Sequence, residues 1–358
     1  ATVHECGVGF LDPGQATDTG ADIAADAGGL FFREGVAHGK AGVGHRIRHH
    51  LFDGPANRPR MLVALDDVEA VDWRTPHPAV ADPADRGSGP WTFAWIMSPP
   101  GRNSGGHQNL FRFIRVLEQA GHTCIVYLYS NVEEVNVAAT EQVVRSASFE
   151  ATEAQILPWT GEVGDDVDAI VATGWETAYP SFRSSSPARR FYFVQDFEPW
   201  FTAVGTSSVL AEATYRFGFQ GITAGGWLAH KLQTEFGMPT APFDFGADRE
   251  HYHLMPGITR DEVFFYARAA TERRGYDLGI LALDLVSKAR PDVTINLVGE
   301  AIRPETVPFT HVNIANIGID QLGAIYNRSV AALVLSFTNL SLLPLELLSA
   351  GTIPVVND

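Results

Sequence analysis

The chain has 358 residues, 45% hydrophobic and 19% charged, an ordinary balance for a globular protein with room for two cores. Its formal charge of −16 argues against a nucleic-acid surface, and it has no apolar run of about eighteen residues that would span a membrane. Cys6 and Cys124 are too few and too distant for a disulfide framework, and Ala1–Cys6 lacks a signal-peptide pattern, which points to a reducing cytoplasm. The absent initiator Met reads as trimming or a fragment.

Residues 1–90 are rich in Gly, Asp, Ala and Pro and show little periodicity, so an N-terminal extension is expected there. Within it Leu30–Phe32 and Met61–Leu65 read as short strands, and Thr75–Pro90 as a linker. From Trp91 the pattern changes. Phe93–Met97 predicts a buried strand, Ser98–His107 a glycine-containing loop, Leu110–Leu117 a helix ending at Gly121, and Thr123–Leu128 a second strand. Further strands are expected at Ala169–Gly174, Phe191–Gln195 and Gly221–Thr223, the last leading into a helix over Leu228–Phe236.

A second series follows with strands at Val263–Ala267, Thr294–Gly299 and Ala331–Leu335, and helices at Leu278–Ala289 and Ile319–Asn327. The tail predicts a polar loop after Ser336, a helix carrying Glu346, a stop at Gly351 and a final strand at Ile353–Val356. Strands alternating with helices on both sides of Pro242–Pro256 give an α/β fold of two facing, doubly wound, Rossmann-like domains, 91–255 and 256–358. A parallel sheet ending on a strand leaves one face without a covering helix, so the second domain reads as incomplete at its C-terminus.

Acids and glycines at the carboxyl ends of parallel strands face the crevice where such folds bind ligands. Glu346 sits between Leu345 and Leu347, and a carboxylate on so apolar a helix needs a partner. The N–H groups around Ser341–Leu343 are candidates to hold an anion. Gly105 and Gly106 allow close backbone approach to a diphosphate.

Four segments in order resemble the GT-B glycosyltransferases of the family-four type. They are Gly105-Gly106-His107, Pro242–Tyr252, Tyr266–Arg268 with Arg273-Arg274-Gly275, and the Glu346 helix with Ala350–Val356. The blocks Phe191–Phe201 and Thr338–Glu346 are most similar to the rhamnosyltransferases that build S-layer and cell-surface rhamnans. The resemblance covers roughly residues 91–358 and implies the GT-B architecture, a nucleotide-sugar donor and a glycan or lipid-linked glycan acceptor. It also implies no nucleic acid, no tightly bound cofactor, no metal, and a cytoplasmic place with at most peripheral association at the inner membrane face. For residues, it implies donor contacts from Arg268, Arg273, Glu346, Thr338, Asn339, Ser341, Gly105 and Gly106, with Glu346 on the nucleotide ribose. Where the wider family has a first glutamate, this chain has Thr338. A less polar 6-deoxy sugar such as rhamnose from a dTDP-linked donor fits that departure.

Guanidinium groups bind two phosphate oxygens at once, which suits Arg268 and Arg273 to a departing diphosphate, with Arg274 beside them. Asp196, Glu198 and His107 are candidates to orient an acceptor hydroxyl or act as base. Trp175, expected exposed beside Glu176, could stack on a sugar. Asp166-Val-Asp168 reads as the start of a strand rather than a metal motif, and Asp244-Phe-Gly246 lacks the rest of a kinase signature. Gly39-Lys40-Ala41 lacks the rest of a P-loop, and His45, His49 and His50 lack the spacing of a metal site. Two other readings fit the architecture: a GT-B sugar-nucleotide epimerase, and a carbohydrate-binding or assembly subunit without catalysis.

Overall fold

A computed structural model describes residues 61–73, 77, 89–101, 104–146, 149–315 and 317–357. The strand expected at Leu30–Phe32, the Gly39–Ala41 and His45–His50 segments, and most of the 75–90 linker lie outside these residues.

Two parallel sheets carry the fold. In the first, β1 (Thr92–Met97), β2 (Thr123–Leu128), β3 (Gln155–Pro158), β4 (Ala169–Ala172), β5 (Arg189–Val194), β6 (Gln220–Ala224) and β7 (Thr240–Phe243) stand in the order β3-β2-β1-β4-β5-β6-β7. In the second, β8 (Glu262–Ala267), β9 (Thr294–Gly299), β10 (Val312–Ala315), β11 (Ser329–Val334) and β12 (Ile353–Val356) stand in the order β10-β9-β8-β11-β12. Every pairing is parallel. Strand order reverses beside β1 in the first sheet and beside β8 in the second, and α/β folds open a ligand crevice at such switch points.

The period of two decides which side chains fill which layer. On β5, Tyr192 and Val194 join Tyr179, Phe217 and Leu228, while Phe193 joins Trp95, Phe111 and Val126 on the other face. On β8, Phe264 packs with Val298 and Tyr326, and Phe265 packs with Leu283 and Leu297. Both faces of the central strands are therefore apolar, which is why they are continuous hydrophobic runs in sequence.

The expected Met61–Leu65 strand is instead an irregular lead into a short helix, α1 (Leu65–Glu69). Val63 and Val71 on either side of it are buried in the first sheet's core. Asp67 accepts a hydrogen bond from Arg183 at 3.0 Å, and Tyr129 donates to Asp67 at 3.4 Å. Those contacts, rather than strand pairing, decide its form.

Candidate active site between the two sheets

Helices follow the strands: α2 (Gly105–Gln119), α3 (Val137–Val144), α4 (Trp175–Arg183), α5 (Thr206–Ala213), α6 (Gly226–Phe236), α7 (Tyr276–Ala289), α8 (Ile319–Arg328) and α9 (Leu343–Ser349). Two adjoining cavities lie at the carboxyl ends of the strands. One, of about 600 Å³, is lined by Asn109, Thr173, Glu176, Gln195, Asp196 and Glu198, among others. The other, of about 380 Å³, is lined by Tyr252, Tyr266, Arg268, Tyr326, Leu343 and Glu346, among others. Gly105, Gly106, Arg273, Arg274 and Ser341 line both.

Glu346 belongs to the smaller cavity. Tyr326 donates its hydroxyl to Glu346 Oε2 at 3.3 Å. Burial is the main cause that pushes this carboxyl up from 4.5 to about 7, with Tyr326 and Arg112 opposing it and Asp248 adding to it. Arg268 pairs with Glu300 across 3.2 Å, donates to the Tyr266 hydroxyl at 3.1 Å, and lies 5.6 Å from that ring's centre. Glu300 also accepts from the Ala270 N–H at 3.1 Å, which ties down the loop bearing Arg268. Sequence reasoning missed Glu300, which matches no motif.

Arg273 and Arg274 stand side by side. Arg274 donates to the Asn339 carbonyl at 2.9 Å and to the Ser336 hydroxyl at 3.3 Å. Arg273 lies over the Phe201 ring at 4.1 Å and 4.0 Å from Asp196, and its buried Nε has no hydrogen-bond partner among the described residues. Burial lowers both arginine pKa values, and for Arg273 the neighbouring Arg274 lowers it further. A guanidinium stays protonated in a protein. Two partly desolvated cations this close make an anion favourable between them.

Thr338 does not present its hydroxyl to an open cavity. It donates to Asp196 Oδ2 at 2.8 Å, across the crevice. Asn339 donates to the Gln195 carbonyl at 3.0 Å, and Gln195 in turn donates to the Gly106 carbonyl at 3.1 Å and accepts from Asn109 at 3.2 Å. Gln195, absent from the sequence candidates, thus links the Gly-Gly turn to the second sheet. A Cβ on Gly106 would meet Gln195 Nε2 at 3.3 Å, so a side chain there would crowd the link. The Phe197 N–H donates to Asp196 Oδ1 at 2.8 Å, and burial is the largest influence raising the Asp196 pKa.

Several expected roles meet other arrangements. His107 has its two ring nitrogens on Ser104 Oγ at 2.7 Å and the Ser98 carbonyl at 3.0 Å, lines neither cavity, and is titrated downward by burial. Its geometry is that of a clamp on the turn before α2. Glu198 takes the Trp175 N–H at 2.6 Å and the Tyr192 hydroxyl at 3.0 Å on Oε2, so it caps α4. Desolvation, followed by the charge of Glu176, raises its pKa well above the ordinary value. Trp175 is among the residues lining the larger cavity, but it is buried and packs edge-on to Tyr179, so it offers no exposed face for stacking. The Ser341 N–H is taken by Asn339 Oδ1 at 2.7 Å, and Pro344 brings none, so the start of α9 offers fewer free donors than expected. Ser341 is held at φ 64°, a left-handed conformation that non-glycine residues adopt mainly where the surroundings impose it.

Residues 261–358 match the family described as WsaF, C-terminal domain. The O-antigen biosynthesis protein RfbC of Myxococcus xanthus is 30% identical over 276 residues, covering 75% of this chain and 22% of that protein. The chain thus spans about a fifth of that relative's length. Sucrose-phosphate synthase from Thermosynechococcus elongatus superposes with a TM-score of 0.55 at 10% identity, over 74% of this chain and 81% of that one. Anabaena HepE, solved in complex with UDP-glucose, superposes with a TM-score of 0.56 at 13% identity, over 74% and 80%. With two parallel sheets of seven and five strands meeting across a crevice, the chain has the GT-B fold of these glycosyltransferase structures.

Proposed function

We propose that the protein transfers a sugar from a nucleotide diphosphate sugar to a glycan acceptor during assembly of a bacterial surface polysaccharide. The observation that carries this reading is the grouping of Arg268, Arg273, Arg274 and Glu346 on one crevice between the strand ends of two sheets. The diphosphate lies against the arginines, whose charge offsets the negative charge that develops as the glycosidic bond breaks. Glu346, across the smaller cavity, accepts hydrogen bonds from the ribose. The acceptor enters the larger cavity, where Asp196 orients its hydroxyl; each Asp196 oxygen holds one donor and keeps a lone pair for another.

The UDP-glucose bound to HepE and the O-antigen name of RfbC favour a nucleotide sugar and a surface glycan. Rhamnose from a dTDP-linked donor remains the proposed sugar, on the resemblance of the Phe191–Phe201 and Thr338–Glu346 blocks. No helix among the described residues is long and apolar enough to cross a membrane. The test is calorimetry with UDP, dTDP and their sugars. Glu346→Ala should weaken nucleotide-sugar binding at least about tenfold while the fold survives; unchanged affinity overturns the reading. Nucleotide release that requires a glycan separates a transferase from an epimerase, which turns over donor alone, and from a non-catalytic binder.

A further inference from the structure

The rim of the larger cavity carries an aromatic feature that the proposed chemistry does not use. Trp200 and Phe201 end the 3-10 turn Glu198–Phe201 after β5, and Trp227 sits in the first turn of α6. The Trp200 and Trp227 rings lie 6.3 Å apart at 44°, with 48% and 52% of each residue exposed. Trp200 is held at its base, and Trp227 packs against it. Phe197 meets Trp200 edge-on at 4.8 Å, and Lys231, four residues beyond Trp227, puts Nζ 4.6 Å from the Phe197 ring centre and 5.1 Å from that of Trp200. Phe201 and Thr202, next in the chain, line the larger cavity. The aromatic pair is thus joined, through the adjacent Phe201, to the place where the acceptor is proposed to enter.

We propose that Trp200 and Trp227 form an outer subsite that stacks successive sugar rings of a long glycan acceptor, an inference that rests on the acceptor reading above. The C–H face of a pyranose is apolar and slightly positive, and it complements the negative face of an indole. The Trp200 ring, held by Phe197 and Lys231, is pre-ordered for stacking and keeps the ordering cost of binding low. Local charge favours a neutral glycan over an anionic lipid surface: Lys231 is matched by Glu235 at 2.8 Å, and the chain carries −16 overall.

The experiment uses the full chain and oligosaccharides released by mild acid from bacterial O-antigen, sized into mono- to disaccharides and hexasaccharides or longer. Calorimetry should show Trp200→Ala and Trp227→Ala each binding the long fraction about tenfold more weakly, with short-fraction and UDP binding unchanged. Trp→Tyr variants should recover most of the affinity, and thermal melts check that each variant is folded. Wild-type affinity for the long fraction in both alanine variants overturns the subsite and leaves the acceptor reading standing. So does loss of sedimentation with phosphatidylethanolamine–phosphatidylglycerol vesicles while glycan binding is intact, which would make the surface a membrane contact. A wild-type chain that binds UDP-sugar and no glycan of either size overturns both.

Discussion

Glu346→Gln separates what this side chain does for the fold from what it does for the ligand. Half-buried at the smaller cavity, the carboxyl keeps its proton to about pH 7 in the folded protein, against 4.5 for its ordinary value. Between those values the folded state binds more protons than the unfolded chain, so stability falls as pH rises through this window and stays lower above it. A rise from 4.5 to about 7 corresponds to roughly 3 kcal/mol at pH 8, an upper figure for a side chain that is partly exposed. Glutamine keeps the shape, still accepts from the Tyr326 hydroxyl, and cannot ionise. The second sheet should therefore gain about 2–3 kcal/mol at pH 8 and under about 1 kcal/mol at pH 5. The seven tryptophans all lie between Trp73 and Trp227, so their fluorescence reports the first sheet. Hydrogen exchange of the amides in 319–349 is the direct assay. A gain equal at both pH values, or a loss at pH 8, refutes the burial argument. The same variant should bind nucleotide sugar more weakly, since ribose hydroxyls donate best to a charged acceptor. Wild-type binding near pH 6.5 should release protons, visible as a calorimetric enthalpy that varies with buffer.

Three further outcomes follow from the geometry. Arg274→Lys keeps the charge but loses the fork that reaches Ser336 and the Asn339 carbonyl, and should weaken nucleotide-diphosphate binding about tenfold by calorimetry. Thr338→Glu sets a second carboxylate against Asp196, so small-angle scattering should show a larger radius of gyration at pH 8 that contracts at pH 5. Gly279→Ala would drive a methyl into the Phe265 ring beneath α7, and should cost about 1–3 kcal/mol in chemical denaturation.

The central strands were legible because burial on both faces leaves an uninterrupted apolar run, as in Phe93–Met97 and Thr294–Gly299. The strands that escaped are four-residue edges: β3 ends in Pro158, β7 contains Pro242, and β10 is half-buried. A proline lacks the N–H that a central strand must donate, so it belongs at an edge, where it also breaks the pattern that reveals a strand. That is why no strand was expected at Pro242–Phe243, although these residues pair with β6. The helices α3 and α5 are short, and neither has a strong apolar stripe to announce it.

Asp196 and Arg268 were legible because each follows a predicted strand, whose direction fixes where such residues emerge; Glu300, directly after β9, follows the same rule and was passed over. What a single sequence does not encode visibly is which polar groups are spent on one another. His107 and Glu198 occupy the right ends of the right elements, yet local donors and acceptors three to twenty-three residues away claim them. The Asp196–Thr338 bond joins residues 142 apart, and no periodicity could pair them. That bond recasts the departure at position 338. A carboxylate there would face the buried Asp196 at hydrogen-bond distance, and two like charges so close could not both ionise without forcing the sheets apart. With threonine, one acid serves the seam, a hydroxyl satisfies it, and the neighbouring Gln195–Asn339 bond fixes the spacing of the two sheets around Arg273 and Arg274.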